Sequence, residues 1–434
     1  MAGNVLDSLK NALPAGGLFT GMEWRFSPEP YPLTKKMVKR LETLGRRLLL
    51  FQRACDEIYR RSHKGSLPAW IRDYLDAGKP DSLLKAAHAR PNKDALARII
   101  RPDLLVLPDE QLALTEIDSV PGGIGLTAWL GKTYHDLDEA WEIVGSPTGM
   151  VDGFGSLFPS GADIVVSKES SDYRPEMEWI AGQLGDGFRV ADAENYAPSD
   201  RDAYRFFELF DLPNIPPSSK FVDAYRNGDF SITPPMKPWL EEKMWLALFW
   251  SGPLRAIWER SLRGAHRKAL EDLIPYGWVI DPSPIPHHAA LPRLDVQNWD
   301  DVGGFSQALR QLVLKRSGFA EDAWGSRSVS VGHDLPQQEW AAAMQRALAS
   351  YPEAPFVMQE FRNAAIIDHP YFDEEGAVQT MNGRVRLCPY YFVEADGVTV
   401  NLGGVLATVT PSDKKVIHGM RDAVMVPCRI DHRS

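Results

Sequence analysis

The stretch Gln311-Leu-Val-Leu-Lys315-Arg-Ser-Gly318, taken with Phe356-Val-Met-Gln-Glu360-Phe361 further along, decides how this chain is read. Leu312, Val313 and Leu314 form an apolar run that ends on Lys315, and Phe356 to Glu360 reads as a second strand ending in adjacent amide and carboxylate side chains. Between them lie the loop Gly325-Ser326-Arg327-Ser328, a short strand Val329 to Val331 and a helix over Gln337 to Ser350. Alone, a lysine at a strand end is a solvated cation and Glu360 a plain surface acid. In this order the pieces acquire a joint purpose. Lys315 can neutralise phosphate, the Gly325-Ser326 loop can bring backbone N–H groups to phosphate oxygens, and the strand end offers Gln359 to adenine and Glu360 to ribose, which is what holding ATP requires.

Upstream, Arg101-Pro-Asp103, Glu116-Ile-Asp118 and Pro121-Gly-Gly-Ile-Gly125 form a second cluster. The apolar runs Leu104 to Leu107 and Leu112 to Leu114 flank a turn at Pro108-Asp109-Glu110 and predict a hairpin. If the second strand continues, alternation places Glu116 and Asp118 on one face. With Asp103 they make a three-oxygen set suited to magnesium, whose remaining ligands would be phosphate and water, and Arg101 sits beside them as a bidentate anion holder. On spacing alone these residues read equally well as surface acids at strand ends. The phosphate-loop pattern ending in Gly-Lys-Ser/Thr is absent, Gly131-Lys132-Thr133 being a partial echo, and the dinucleotide fingerprint is incomplete. His287-His288 has no zinc-site spacing and no Gly-x-Ser-x-Gly elbow occurs, so zinc and serine chemistries are set aside.

Composition fits this reading. The 434 residues are 44% hydrophobic and 24% charged, enough for two or three structural units around a large core. A net charge of −10 argues against a chain-wide attraction to nucleic acid or anionic lipid, leaving small molecules as the expected partners. Cys55, Cys388 and Cys428 are odd in number and widely spaced, which predicts neither a disulfide framework nor a structural zinc site and suits a reducing cytoplasm. No apolar run is long enough to span a bilayer.

Met37, Leu41, Leu44, Leu48, Phe51 and Ala54 recur at helical spacing and predict an amphipathic helix from Leu33 to Arg61, with shorter helices over Pro68 to Ala77 and Asp81 to Ala89. Ala162 to Ser167, a helix near Pro175 to Leu184 and Phe188 to Asp192 predict a strand–helix–strand unit of the doubly wound kind, which needs a parallel neighbour. Ala203 to Asp211 reads as a helix, and Pro213 to Pro238 as a surface connection. A helix over Trp239 to Leu262, another over His266 to Leu273, a strand at Trp278-Val-Ile and a C-terminal hairpin over Arg384 to Thr408 complete the expected order.

With the acidic cluster ahead of the lysine and hinge, the chain resembles the synthetase part of glutathionylspermidine synthase, a circularly permuted member of the ATP-grasp superfamily. Arg101-x-Asp103 resembles the family's Arg-x-Asp and Glu116-x-Asp118 its Glu-x-Asn. The resemblance implies Asp103, Glu116 and Asp118 as magnesium ligands and Arg101 as the contact to the reacting phosphate or acyl group. By the same likeness Lys315 is the phosphate-contacting lysine, Gly325-Ser326 the loop over the phosphates, and Gln359-Glu360 the adenine and ribose hinge. The family's lysine is absent near Ser251, with Lys243 and Lys268 as neighbouring candidates. Its phosphate-binding arginine is absent from Gly403 to Ala407, with Arg421 the distant candidate, and Pro121 to Gly125 lacks the family's threonine-bearing loop.

The implied fold is α/β (α+β): an ATP-grasp architecture with a helical N-terminal segment over 1–95, a Rossmann-like pre-ATP-grasp unit over 96–235 carrying the acids, and a nucleotide-binding unit over 236–434. The implied activity is an ATP- and magnesium-dependent carboxylate–amine ligase acting through an acyl phosphate on a small-molecule acid and amine. A nucleotide-binding scaffold that has lost its chemistry is the alternative that the missing arginine and lysine permit.

Overall fold

The computed structural model describes residues 2–21, 23–118, 120–284, 289–323, 327–417 and 422–432. The first strands are β1 (Tyr31–Thr34), β2 (Ile99–Val106) and β3 (Leu112–Asp118), followed by β4 (Ala162–Val166), β5 (Phe188–Asp192), β6 (Ala203–Phe206) and β7 (Ile232–Thr233). Next come β8 (Gly277–Val279), β9 (Leu312–Arg316), β10 (Ser330–Val331) and β11 (Phe356–Glu360). The C-terminal part is β12 (Ile366–Phe372), β13 (Val378–Val393), β14 (Val400–Pro411) and β15 (Val424–Asp431). The result is a mixed α/β chain with three sheets among the described residues.

The chain divides into two compact units, each assembled from separated stretches. One comprises Met1–Leu50, Lys85–Met236 and Ala364–Ser434, and the other Phe51–Leu84 and Lys237–Asn363. The sequence boundary after residue 235 falls one residue from the Met236/Lys237 division. The boundary at 95 has no counterpart, and the C-terminal strands join the first unit.

The first unit holds a seven-stranded sheet in the order β1-β15-β14-β13-β2-β3, with β12 paired to β13. β13 serves two partners in succession: Val378 to Arg384 pairs with β12, and Arg386 to Phe392 with β2. The helix Lys35–His63 forms where the periodicity places it, and Met37, Leu41, Leu44 and Leu48 are buried. Its Leu41 carbonyl accepts a hydrogen bond from Tyr391 Oη at 2.7 Å, which ties the helix to β13. The second sheet of this unit, β5-β4-β6-β7, is parallel throughout.

Here the structure departs from expectation. Ala203 to Asp211 is not a helix: Ala203–Phe206 is β6, the parallel neighbour that the doubly wound unit required, and all four of its residues are buried. A strand covered on both faces has no period of two, so its apolar run was open to a helical reading. The proline-rich stretch carries structure of its own, a helix Ser218–Asn227 that buries Phe221 and Tyr225, and the strand β7.

The second unit is built on the antiparallel sheet β10-β9-β11-β8. Leu312, Leu314, Phe356 and Met358 pack with Trp278, Trp299 and Trp340 in its core. The helix Gln337–Ala349 contributes Trp340 and Met344 to that core. The single helix expected over Trp239 to Leu262 is instead Met244–Leu248 and Arg255–Ser261, separated at Gly252-Pro253. Pro253 has no N–H to offer Phe249 O, so the first helix cannot run on, and the Trp258 indole ties the second helix back to Leu248 O at 3.0 Å across the break.

Gly45, on the helix Lys35–His63, is a close-approach glycine. A Cβ there would stand 2.5 Å from the Tyr391 ring and 2.9 Å from Val400. Alanine is normally the better helix former by about 1 kcal/mol, but Tyr391 is fully buried and hydrogen-bonded and has nowhere to move. Gly45→Ala is expected to destabilise the protein by about 1–3 kcal/mol in denaturant unfolding; a stabilised variant would contradict this packing.

Candidate functional site

In the second unit, β9 and β11 run antiparallel with Lys315 opposite Val357 and Gln359 opposite Val313. Lys315 and Gln359 are therefore diagonal neighbours on one face, and Lys315 Nζ donates to Gln359 Oε1 at 3.0 Å. Both are desolvated, Lys315 being 9% exposed and Gln359 3%. Gln359 Nε2 is buried and has no hydrogen-bond partner among the described residues, so one amide donor remains for a ligand acceptor. The two residues assigned from sequence to phosphate and to adenine thus lie side by side.

Glu360 is placed differently from expectation. Arg293 Nη1 holds one carboxylate oxygen at 2.9 Å and Arg362 Nη2 the other at 2.8 Å. Arg293 also lies over the Tyr276 ring, 4.1 Å from its centroid. The carboxylate is half of a clamp rather than an open acceptor for a ribose hydroxyl. The Gly325-Ser326 loop lies outside the described residues, as do His287-His288 and Arg421.

A group that sequence reasoning missed anchors the chain just beyond Lys315. Glu242 accepts from Lys79 Nζ at 2.5 Å and from the Ser317 hydroxyl, with the Lys79 and Glu242 side chains essentially sealed from solvent. Next to it, Lys243 Nζ donates to Ala323 O at 2.7 Å. Of the two candidate lysines, Lys243 therefore reaches the loop after β9, whereas Lys268 stands on an exposed helix face paired to Asp272.

The acidic cluster is in the first unit, and its strands form as the alternation required. β2 and β3 pair with Arg101 opposite Asp118 and Asp103 opposite Glu116, and a bulge follows Asp103. All four side chains share a face. Arg101 Nε lies 3.0 Å from Asp103 Oδ1 and Arg101 Nη2 lies 2.9 Å from Asp118 Oδ2. A residue absent from the sequence reading completes the group: Arg386, on β13, contacts Asp103 Oδ2 at 2.9 Å. The Cys388 thiol is 3.4 Å from Asp103 Oδ1. The alternation of Arg384 and Arg386 in β13 was a visible signal, but its register against β2 was not.

Burial opposes ionisation of Asp103, but Arg101 and Arg386 outweigh it and hold the carboxyl below its ordinary pKa. Both of its oxygens are thereby occupied, so Asp103 fits the role of anchor for two guanidiniums better than that of a magnesium ligand. Asp118 is shifted the other way. Burial raises its pKa, and the neighbouring Glu116 carboxylate adds to that against the pull of Arg101. No group of three or more metal-ligating side chains exists among the described residues. Of the acids anticipated as magnesium ligands, Asp118 is engaged as Asp103 is, by Arg101 at Oδ2 and by the Val120 N–H at Oδ1, both at 2.9 Å.

The glycine loop is occupied from within. Glu176, on the helix Arg174–Leu184, accepts from Gly123 N at 2.7 Å and Leu126 N at 3.1 Å, capping the helix Ile124–Leu137. Gly123 enters that helix with φ +87, a left-handed conformation that favours glycine. Burial pushes the Glu176 pKa up to about 7, the N–H donors recovering only part of the cost. Gly122 O accepts from both Tyr390 Oη and Arg101 Nη1, at 2.7 and 3.1 Å, so the loop is fastened to the acidic face. Burial pushes the Cys388 thiol up to about 12, which leaves it protonated and unsuited to nucleophilic attack at neutral pH.

No protein-family model matches the chain, and no curated protein matches it. Among solved structures, it is similar to a glutathione synthetase-like effector from Globodera pallida in its apo form. That pair has 12% sequence identity and a TM-score of 0.54, with 99% of this chain and 97% of that chain covered. A chain from Methylobacillus flagellatus, given the provisional name gamma-glutamylcysteine synthetase, matches over 90% of this chain and 87% of its own at 10% identity and a TM-score of 0.40. The first likeness is one of fold, carried over essentially the whole of both chains.

Two stability measurements follow from these sites. An unfolded glutamate ionises near 4.5, whereas folded Glu176 keeps its proton to about 7. Its contribution to stability is therefore full below pH 4.5 and is lost as the pH rises to 7. Denaturation midpoints measured across that window should decline in the parent and decline less in Glu176→Gln; identical slopes would refute the assignment. Asp103→Asn, which leaves two guanidiniums without their shared counter-charge, is expected to cost about 3–5 kcal/mol at neutral pH in the same measurement.

Proposed function

We propose that the protein is an ATP- and magnesium-dependent carboxylate–amine ligase that forms an amide bond through an acyl phosphate. The observation that carries this reading is the buried Lys315–Gln359 pair on adjacent antiparallel strands, in a chain whose fold runs end to end with that of a glutathione synthetase-like protein. Lys315 is the proposed phosphate contact and Gln359 the proposed adenine contact, the ATP-grasp arrangement that the sequence resemblance implies. Glu116 and Asp118 are the proposed magnesium ligands, and magnesium there would supply charge neutralisation for the transferring phosphoryl group.

The demand on the chain's own residues is electrostatic and positional. A substrate carboxylate oxygen bonds to the γ-phosphorus while the bond to the β–γ bridging oxygen breaks and ADP leaves. An amine then bonds to the acyl carbon, the carbon–oxygen bond to phosphate breaks, and the amine gives up its proton. On the acidic face, Arg101 is the proposed residue that spreads the charge of the moving phosphoryl group. Asp103 acts one step removed, holding Arg101 in place.

A second reading, a nucleotide-binding scaffold without turnover, is favoured by one observation: the Glu360 carboxylate is already taken by Arg293 and Arg362. Phosphate release from ATP in magnesium buffer, with pooled amino acids, thiol peptides and polyamines, separates the two. The ligase requires release that depends on both an acid and an amine, whereas ATP binding without turnover across the pool establishes the scaffold. Glu116→Gln should abolish turnover at an unchanged melting temperature. Lys315→Met should weaken ATP binding by about tenfold or more, since a charge-assisted contact is lost. Full activity in Glu116→Gln would remove the metal assignment.

A further inference from the structure

One dipeptide of the second unit, Glu242-Lys243, holds the chain beyond β9 at both ends of the loop 317–323. At the start, the Lys243 N–H donates to Ser317 O at 3.0 Å, and the Ser317 hydroxyl donates to Glu242 while accepting from Met244 N at 2.9 Å. At the far end, Lys243 Nζ donates to Ala323 O at 2.7 Å. Gly318 lies against the same carboxylate, where a Cβ would stand 3.0 Å from Glu242 Cδ and 3.0 Å from Glu241 O. Arg316, the last residue of β9, reaches across the loop to Asp322 with Nη2 at 2.9 Å.

The carboxylate at the centre of this arrangement is costly to bury. Glu242 and its partner Lys79 have side chains only 1% exposed, and a sealed ion pair adds little stability over apolar side chains of similar volume. What such a pair supplies here is geometry, because two desolvated charges must stay matched at one separation. Phe319 points the same way. Its φ of +43 is left-handed, which a bulky residue keeps only where its surroundings impose it, and the centre of its ring lies 5.8 Å from Lys79 Nζ. A desolvated charge pair and backbone strain thus meet on the residues that directly follow Lys315.

We propose that Glu242 and Lys243 are positioning residues for nucleotide binding: with Lys79 they fix the loop 317–323 and hold the exit of β9 where Lys315 meets phosphate, without touching the nucleotide themselves. The inference rests on the reading of Lys315 as a phosphate contact. It also gives Lys243 a part of its own, as a brace whose ammonium is committed to a loop carbonyl rather than as a second phosphate ligand.

Amide hydrogen exchange of the full chain without nucleotide, read beside calorimetric titration with ATP in magnesium buffer, tests this. Lys243→Met keeps the stem and the backbone N–H and removes only the ammonium. Its amides over 318–323 should exchange about tenfold faster or more. ATP should bind to it about fivefold or more weakly, at an unchanged circular dichroism spectrum. Lys243→Arg, which can still donate to Ala323 O, should restore both readouts, and Ser317→Ala should repeat the loss. If Glu242→Gln fails to fold because Lys79 is left buried without its counter-charge, Lys243→Met and Ser317→Ala decide. Weaker ATP binding with unaltered loop exchange makes Lys243 a direct phosphate contact and overturns the proposal. Faster exchange with unaltered ATP affinity leaves a structural tie only and overturns it equally, while the reading of Lys315 stands. A parent chain that binds no ATP removes that reading, and this inference with it.

Discussion

Asp103 is one buried carboxylate between two guanidiniums, and the arrangement of the acidic face depends on it. Removing Arg101 and Arg386 from water is costly for each, and their mutual repulsion in a low-dielectric setting would push the strands that carry them apart. A shared counter-charge turns that repulsion into a tie between β2 and β13 in the interior of the seven-stranded sheet. Everything on that face then inherits its position. Arg101 reaches on to Asp118 and to the Gly122 carbonyl, and Arg386 is held level with Thr408.

Glu176 makes an instructive contrast. Both carboxylates are fully buried, yet one is driven below its ordinary pKa and the other well above it. The difference lies in what faces them: two guanidiniums in direct contact for Asp103, and chiefly backbone N–H dipoles for Glu176, with Arg101 a smaller influence. Dipoles satisfy the lone pairs without offsetting the cost of burying an ion. The protein therefore fills its glycine loop with a group that can be neutral, and concentrates permanent charge one strand away.

The sequence made local structure legible wherever one face of an element was wet. The helix Lys35–His63 shows its stripe, and β9 with β11 shows an apolar body with polar ends. Legibility failed where burial was complete, as in β6, and where a local break interrupted a periodic run, as at Pro253. The site divides in the same manner. Lys315, Gln359, Arg101 and the acids stand in short motifs and could be singled out as candidates one at a time. Arg386, Glu176 and Glu242 could not, because each acquires meaning only from a partner far along the chain: Arg386 lies 283 positions from Asp103, Glu176 53 from Gly123, and Glu242 163 from Lys79. Register between distant strands, and with it the occupancy of Asp103 and Glu360, is a property of the fold and of no local pattern.

The interleaving of the two units bears on how the chain comes to its fold. Arg25 meets Asp422 across 397 positions, and β1 pairs with β15, so the large sheet closes between its first strand and its last. The pieces of the other unit, Phe51–Leu84 and Lys237–Asn363, are all present before β12 begins. On a ribosome that unit has its full complement of partners while β2 and β3 still wait for β13, as does the N-terminal part of the helix Lys35–His63, where Leu41 O accepts from Tyr391. The interval before β12 to β15 appear is thus the time when this protein has most need of a chaperone, and damage to β13 would strand β2 and β3 together with β14.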